Sequence, residues 1–225
     1  MIELTGAGFA YGRDRVLSDL SLRLDAGSFQ FLTGNSGAGK TTLLRLCYGD
    51  LKPDAGTVHL FQKDSLTLDR DGLARTRQRI GVVHQDCRFL DHLTVFDNVA
   101  LPLMAAGRDL AAHAQDVAQL IDWVGLRARS QARPPELSGG ERQRAALARA
   151  IIMDPDVILA DEPTGNVDWE MSQRLLTLLA ELHRLGKAIL LATHDLPLIR
   201  AAKQQVSARV LRLVDGRVHV AGTDL

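Results

Sequence analysis

Short apolar runs alternate with amphipathic stretches along most of this chain. Residues 28–33 (SFQFLT) read as a buried strand, 34–39 as a glycine-rich turn, and 40–48 (KTTLLRLCY) as a helix. Residues 56–60 and 79–84 (RIGVVH) are strand candidates. From about 90 to 153 the pattern is mostly helical. It is clearest over 112–124 (AHAQDVAQLIDWV), where apolar positions recur at helical spacing, and Pro134-Pro135 interrupt it. Residues 157–161 (VILAD) form a continuous apolar run ending in an acid, as a parallel strand covered on both faces does. Residues 169–185 predict an amphipathic helix closed by Gly186, and 188–193 (AILLAT) a further buried strand. Residues 208–220 (ARVLRLVDGRVHV) predict two strands joined at Asp215-Gly216. The alternation predicts an α/β fold with a mostly parallel sheet covered on both faces, and residues 90–153 as a helical insert.

Length and composition narrow the class. The 225 residues suit one large α/β domain spanning 1–225, and 46% hydrophobic residues mark a globular chain. Lys plus Arg and Asp plus Glu number 27 each, so no overall charge steers the chain toward nucleic acid or an anionic surface. Two local basic clusters stand out (Arg75, Arg77, Arg79 and Arg142, Arg144, Arg149); the first is read as a solvated helix face. Cys47 and Cys87 have no CxxC or zinc spacing and are expected to be reduced thiols of a cytosolic protein. The amino terminus lacks the pattern of a signal peptide. The most apolar runs are strand-sized, whereas a bilayer span needs about 20 apolar residues. Any membrane role is therefore expected to run through a partner.

Gly34-Asn35-Ser36-Gly37-Ala38-Gly39-Lys40-Thr41 satisfies GxxxxGK[ST] in full, between a predicted strand and a predicted helix. The glycines allow a tight loop whose N–H groups point inward, and the helix that follows adds its positive dipole end. Lys40 suits β/γ-phosphates, and the Thr41 hydroxyl suits Mg²⁺. Asp161-Glu162 follow the apolar run 157–160, at the strand end where ligands collect in open α/β sheets. Asp161 is expected on the Mg²⁺ side opposite Thr41; Glu162 is expected to point elsewhere and polarise an attacking water. These motifs name a bound nucleotide but not a job, because kinases, GTPases and motors share them.

Leu137-Ser138-Gly139-Gly140-Glu141-Arg142-Gln143 is more specific. Ser138 and Glu141 have capping-box spacing, and Gly139 and Gly140 are expected to leave backbone N–H groups accessible beside a helix start, a second anion site. LSGGERQ closely resembles the signature of the ATP-binding cassette (ABC) family, and the order of motifs matches over nearly the whole chain. The resemblance implies a P-loop cassette: a mostly parallel sheet core, a helical subdomain at roughly 90–153 and an N-terminal antiparallel β region. It implies an ATPase using ATP and Mg²⁺, with Tyr11 stacking on adenine and residues 34–42, Thr42 included, around the phosphates. It implies Gln85 as the glutamine that senses metal and γ-phosphate, Asp168 (in Gly165-Asn166-Val167-Asp168) as the aspartate linking two sites, and His194 as the γ-phosphate switch. Catalysis would fall to Glu162, His194, Gln85 and Lys40, and metal binding to Thr41, Gln85 and Asp161. It also implies a homodimer formed on ATP binding, with Ser138, Gly139 and Gly140 of one copy facing the nucleotide of the other.

FLTGNSGAGKTTLLRL, RIGVVHQDCRFLDHLTVFDNVALPL, ADEPTGNVD and ATHDLPLI resemble, within that family, the bacterial cell-division branch. This implies a peripheral ATPase at the cytoplasmic face of the inner membrane. An integral membrane partner would dock near residues 85–93, with Phe89, Leu90 and Leu93 as an apolar patch, and ATP turnover would control cell-wall hydrolases. Subunits of lipoprotein-release and macrolide-export systems share these loops and form the alternative. A soluble ABC protein acting on nucleic acid is disfavoured by the single uninterrupted cassette, the lack of a heptad run and the absence of net positive charge.

Overall fold

The computed structural model describes residues 1–165 and 167–221. Strands β1 (Ile2–Tyr11) and β2 (Asp14–Leu24) pair antiparallel. Strand β3 (Phe29–Thr33) feeds helix α1 (Lys40–Cys47), after which β4 (Ala55–Leu60) and β5 (Lys63–Asp64) return beside β1. These strands complete a four-stranded sheet in the order β2-β1-β4-β5. Then come α2 (Arg70–Arg77), β6 (Ile80–Val83) and three helices, α3 (Val95–Ala105), α4 (Leu110–Trp123) and α5 (Gly139–Ile151). The chain continues through β7 (Val157–Asp161), α6 (Trp169–Arg184), β8 (Ala188–Ala192), α7 (Leu196–Lys203), and the hairpin of β9 (Ala208–Val214) and β10 (Arg217–Val220). The second sheet runs β10-β9-β3-β8-β7-β6; all its neighbours pair in parallel except β10 with β9.

The two-residue period of a strand covered on both faces explains why β3, β7 and β8 are buried at every position. Val157 and Leu159 join a core cluster shared with the antiparallel sheet and α1, whereas Ile158 and Ala160 join a second cluster with α5, α6 and α7. Strand β8 divides the same way, Leu190 to one side and Ile189 and Leu191 to the other. A third cluster, with Val99, Leu103, Val117, Ile121 and Ala145, holds α3 and α4 on α5. Gly81 lets α5 approach β6, since a Cβ there would lie 2.3 Å from Ala150 O.

Because β3, β6, β7 and β8 are parallel, their carboxyl ends share one edge of the sheet. The segments leaving that edge begin at Gly34, His84, Glu162 and Thr193. That edge positions the site.

The structure departs from the sequence reading in two places. Helix α7 was not anticipated, and α2 only as the helix face carrying the first arginine cluster; both are eight residues long and, unlike α1, follow no glycine-rich turn that marks a start. The first arginine cluster is also not merely a solvated face. Arg77 donates to Tyr48 O at 3.2 Å and Gly49 O at 2.8 Å, satisfying carbonyls that α1 leaves open at its end. Arg79 bonds Asp156 at 2.7 Å and lies 3.7 Å over the Phe61 ring. A planar five-donor fork reaches carbonyls and rings that a sequence pattern cannot locate.

Candidate functional site

Helix α1 begins at Gly39 in the left-handed region, φ 102°, with no side-chain cap and no acid in its first turn. A Cβ at this position would meet Val16 Cγ1 at 2.8 Å, so conformation and space both require glycine. The first amides of the helix are therefore left without a side-chain partner, the arrangement that binds anions. Lys40 folds back over the loop, donating to Gly34 O at 2.9 Å and Asn35 O at 3.3 Å, with its Nζ 3.3 Å from Glu162 Oε1. Both side chains of that ion pair are about nine-tenths buried.

The Thr41 hydroxyl donates to Asp161 Oδ2 at 2.7 Å, while Asp161 Oδ1 is buried with no hydrogen-bond partner. Burial raises the Asp161 pKa, the Thr41 hydrogen bond opposes this, and the neighbouring Glu162 charge adds to the rise. Glu162 is itself held at φ 44°, with its N–H on Ala192 O at 2.9 Å and its carbonyl accepting from Gly165 N at 3.1 Å. This turn sets its carboxylate against Lys40 and His194, while Asp161 is held by Thr41. His194 Nδ1 lies 3.0 Å from both Glu162 oxygens.

A cleft of about 1610 Å³ opens over these groups. Tyr11, Gly34, Asn35, Ser36, Gly37, Gly39, Lys40, Thr41, Thr42, Gln85, Asp161, Glu162 and His194 all line it. Ala38 does not; its methyl packs toward the core and its N–H donates to Asn35 O at 3.1 Å. The Tyr11 ring is half exposed, stands edge-on to Phe9 at 4.9 Å, and accepts at its hydroxyl from Arg45 at 3.0 Å. Arg212 and His219, which the sequence reading missed, also line the cleft. They face each other across the β9–β10 hairpin, and Arg212 pairs with Thr33 beside the glycine-rich loop. No local motif marks them; only strand register brings them there.

Ser138, Gly139, Gly140 and Asp168 stay outside the cleft. Ser138 caps α5 in a full capping box: its Oγ accepts from Glu141 N at 3.3 Å, and Glu141 Oε2 accepts from Ser138 N at 2.8 Å. Ser138 and Gly139 are exposed, but Gly140 is buried, which corrects the expectation that both glycines are accessible. The cause is Met171, whose side chain packs on the Gly140 α-carbon. Asp168 caps α6, accepting from Met171 N at 2.8 Å; Asn166 lies outside the described residues.

The segment after β6 is tied to α5. Gln143, buried in that helix, donates to Gln85 O at 3.2 Å. Arg149 donates to Arg88 O at 2.8 Å and to Cys87 O, and its guanidinium lies 4.7 Å from the Phe89 ring centre. Phe89 is half buried against two core clusters, whereas Leu90 is exposed. Beneath them sits Asn98, fully buried and also missed in the sequence. It accepts from Leu90 N at 2.9 Å and donates to Leu90 O at 3.0 Å, Leu93 O at 3.3 Å and Thr94 O at 2.9 Å. Burial lowers the pKa of neighbouring His84 to about 4, leaving it neutral at pH 7.

The family model for ABC transporters matches residues 17–165. The chain belongs to the ABC transporter family. It is an ATPase subunit of that family, with the P-loop fold its sequence predicts. Relatives of this cassette include the cell division ATP-binding protein FtsE of Haemophilus influenzae, 44% identical over 89% of this chain and 93% of the relative. FtsE of Escherichia coli K12 is 40% identical over 97% of both chains. In structure the cassette is similar to a dimeric ATP-binding cassette solved in a post-hydrolysis state bound to ADP and Pi: TM-score 0.87, 30% identity, 97% of each chain covered. Among the described residues, no helix is long and apolar enough to cross a membrane.

Proposed function

We propose that this chain is the ATP-hydrolysing subunit of an FtsE-like membrane complex, and that two copies close head to tail around two ATP molecules. The carrying observation is the division of the phosphate-directed groups. Lys40, Thr41, Asp161, Glu162, Gln85 and His194 share one cleft, while Ser138 and Gly139 lie exposed outside it. A signature turn that cannot serve its own cleft is suited to a second copy's. The dimeric state of the similar cassette supports the same arrangement.

In this reading residues 1–225 form one ATP-binding domain, with the helical subdomain at roughly 90–153. Tyr11 carries the adenine, and the 34–42 loop and Lys40 grip the phosphates. Triphosphate entry draws Lys40 away from Glu162, freeing that carboxylate to orient water. His194, already on Glu162, reads the γ-phosphate; Asp168 links the two sites. Thr41, Asp161 and Gln85 would hold Mg²⁺, which neutralises phosphate charge when bound. The unpartnered Asp161 Oδ1 fits that role, and among the described residues no cluster of three or more His, Cys, Asp or Glu forms a separate metal cage.

The membrane partner is FtsX-like and docks near residues 85–93, so the cassette sits peripherally at the cytoplasmic face of the inner membrane. The exposed Leu90 and the ties from Gln143 and Arg149 support this, because they join the docking segment to the signature helix. Nucleotide-driven closure then controls cell-wall hydrolysis through that partner, with no nucleic acid involved.

Glu162→Gln is the test. Phosphate release should fall roughly 100- to 10,000-fold, the span typical of losing a general base, and light scattering should find an ATP-dependent dimer. A variant that stays monomeric in ATP overturns the pairing. Capture from membranes tests the partner: recovery of a lipoprotein-release permease would overturn the cell-division assignment.

A further inference from the structure

We propose that Met171 is a positioning residue that locks the first turn of α5, carrying Ser138 and Gly139, to the first turn of α6, carrying Asp168. The inference rests on the pairing proposed above, since both turns lie outside their own chain's cleft. A Cβ on Gly140 would lie 2.5 Å from Met171 Cγ, 3.0 Å from Sδ and 3.1 Å from Cε. Gly140 has no left-handed backbone angle that calls for glycine. The space a Cβ would need there is filled by a methionine side chain. One turn further along α5, the Arg144 guanidinium contacts Met171 Sδ. The backbone of the same residue holds the other turn: Met171 N–H donates to Asp168 Oδ1 at 2.8 Å, and Ser172 Oγ donates to Asp168 O at 3.0 Å. One residue thus sets the aspartate with its amide and the signature helix with its side chain. Close-packed contacts of this kind transmit small displacements, so movement of either turn is delivered to the other.

The test is a cycle of Gly140→Ala, Met171→Ala and their double variant, read by ATPase rate, ADP affinity and melting temperature. Gly140→Ala should slow turnover about tenfold and Met171→Ala about threefold, a coupling within the range of contacting residues. The double variant should return to about the Met171→Ala rate, because the added methyl then has room. ADP affinity should stay within about twofold throughout, since neither residue lines the cleft. Met171→Leu, which keeps the volume, should run near the unaltered rate. A double variant as slow as the product of the two singles overturns the assignment, as does unchanged turnover in Gly140→Ala. Loss of ADP binding together with a collapsed melting temperature overturns it too, since that marks general unfolding. Glu162→Gln separates the layers. If it dimerises in ATP while the cycle is additive, only the role of Met171 falls; if it stays monomeric, the pairing falls and takes this inference with it.

Discussion

At the start of α1, a left-handed Gly39 leaves the helix uncapped by any side chain, and Lys40 is bent back onto loop carbonyls. At the start of α5, Ser138 and Glu141 satisfy each other's backbone amides in a closed box. At the first helix end Gly39 is half buried and Lys40 and Thr42 are buried, and the end is open to an anion and shares its cleft with Glu162 and His194. The second exposes Ser138 and Gly139, satisfies its own amides and lies outside the cleft, backed by Met171 at Gly140. One is a binding site that waits for a ligand; the other is a preformed surface that acts only on what is brought to it. In the proposed pairing, this difference is the reason both motifs stand on one chain while two chains complete a site.

Breaking the open end should have the largest effect. Lys40→Ala removes the cation that opposes phosphate charge and strands the buried Glu162 carboxylate. Steady-state phosphate release should fall about 100- to 1000-fold, the cost of losing one preorganised electrostatic partner, and ATP binding should weaken with it. Breaking the closed end should separate turnover from binding. Ser138→Ala should cost about 1 kcal/mol of stability through the lost cap and slow hydrolysis about tenfold, as loss of one hydrogen-bonding partner at the closed site does. ADP affinity by calorimetry should not move. Equal weakening of ADP binding in both variants would erase the distinction.

Asn98 offers a sharper view of how the segment between the two ends is held. Asn98→Ala leaves Leu90 N–H and Leu93 O without their side-chain partner, while Leu90 O keeps Leu93 N–H and Thr94 O keeps the residue-98 backbone amide. It should lower stability by about 1–3 kcal/mol in chemical denaturation. It should also uncouple residues 90–94 from α3, seen as faster amide exchange there. The smallest effect concerns the capping box. The Ser138 backbone N–H, with lesser help from the Ser138 and Arg129 side chains, holds the Glu141 carboxyl below the usual carboxylate range. Its folded pKa lies below its unfolded one, so the stabilisation is present above the unfolded value and is lost as pH falls through the folded value. The melting-temperature advantage of the unaltered protein over Glu141→Gln should be steady at neutral pH and vanish on acidification.

Much of the site was legible because its chemistry is local. GNSGAGKT, DE after VILA and LSGGERQ are contiguous strings whose backbone geometry follows from neighbouring residues, and the capping box between Ser138 and Glu141 formed as its spacing implied. Arg212 and His219 were not legible, because what sets them in the cleft is β9 pairing with β3, a contact between residues some 180 positions apart, which carries the predicted β9–β10 hairpin with it. Asn98 reads as an ordinary polar residue in a helix until the loop at 90–94 folds over it.

The amino-acid string by itself determined the phosphate loop, the acid pair, the signature turn and the alternation of strand and helix, since each follows from glycine freedom, capping chemistry or hydrophobic period within a few residues. Tertiary structure alone decided which groups meet: that Lys40 rests on Glu162, that Gly140 is shut in by Met171, and that the signature turn faces away from its own cleft. Local propensity sets the parts, but the distance between two parts is a property of packing, and packing is summed over the whole chain.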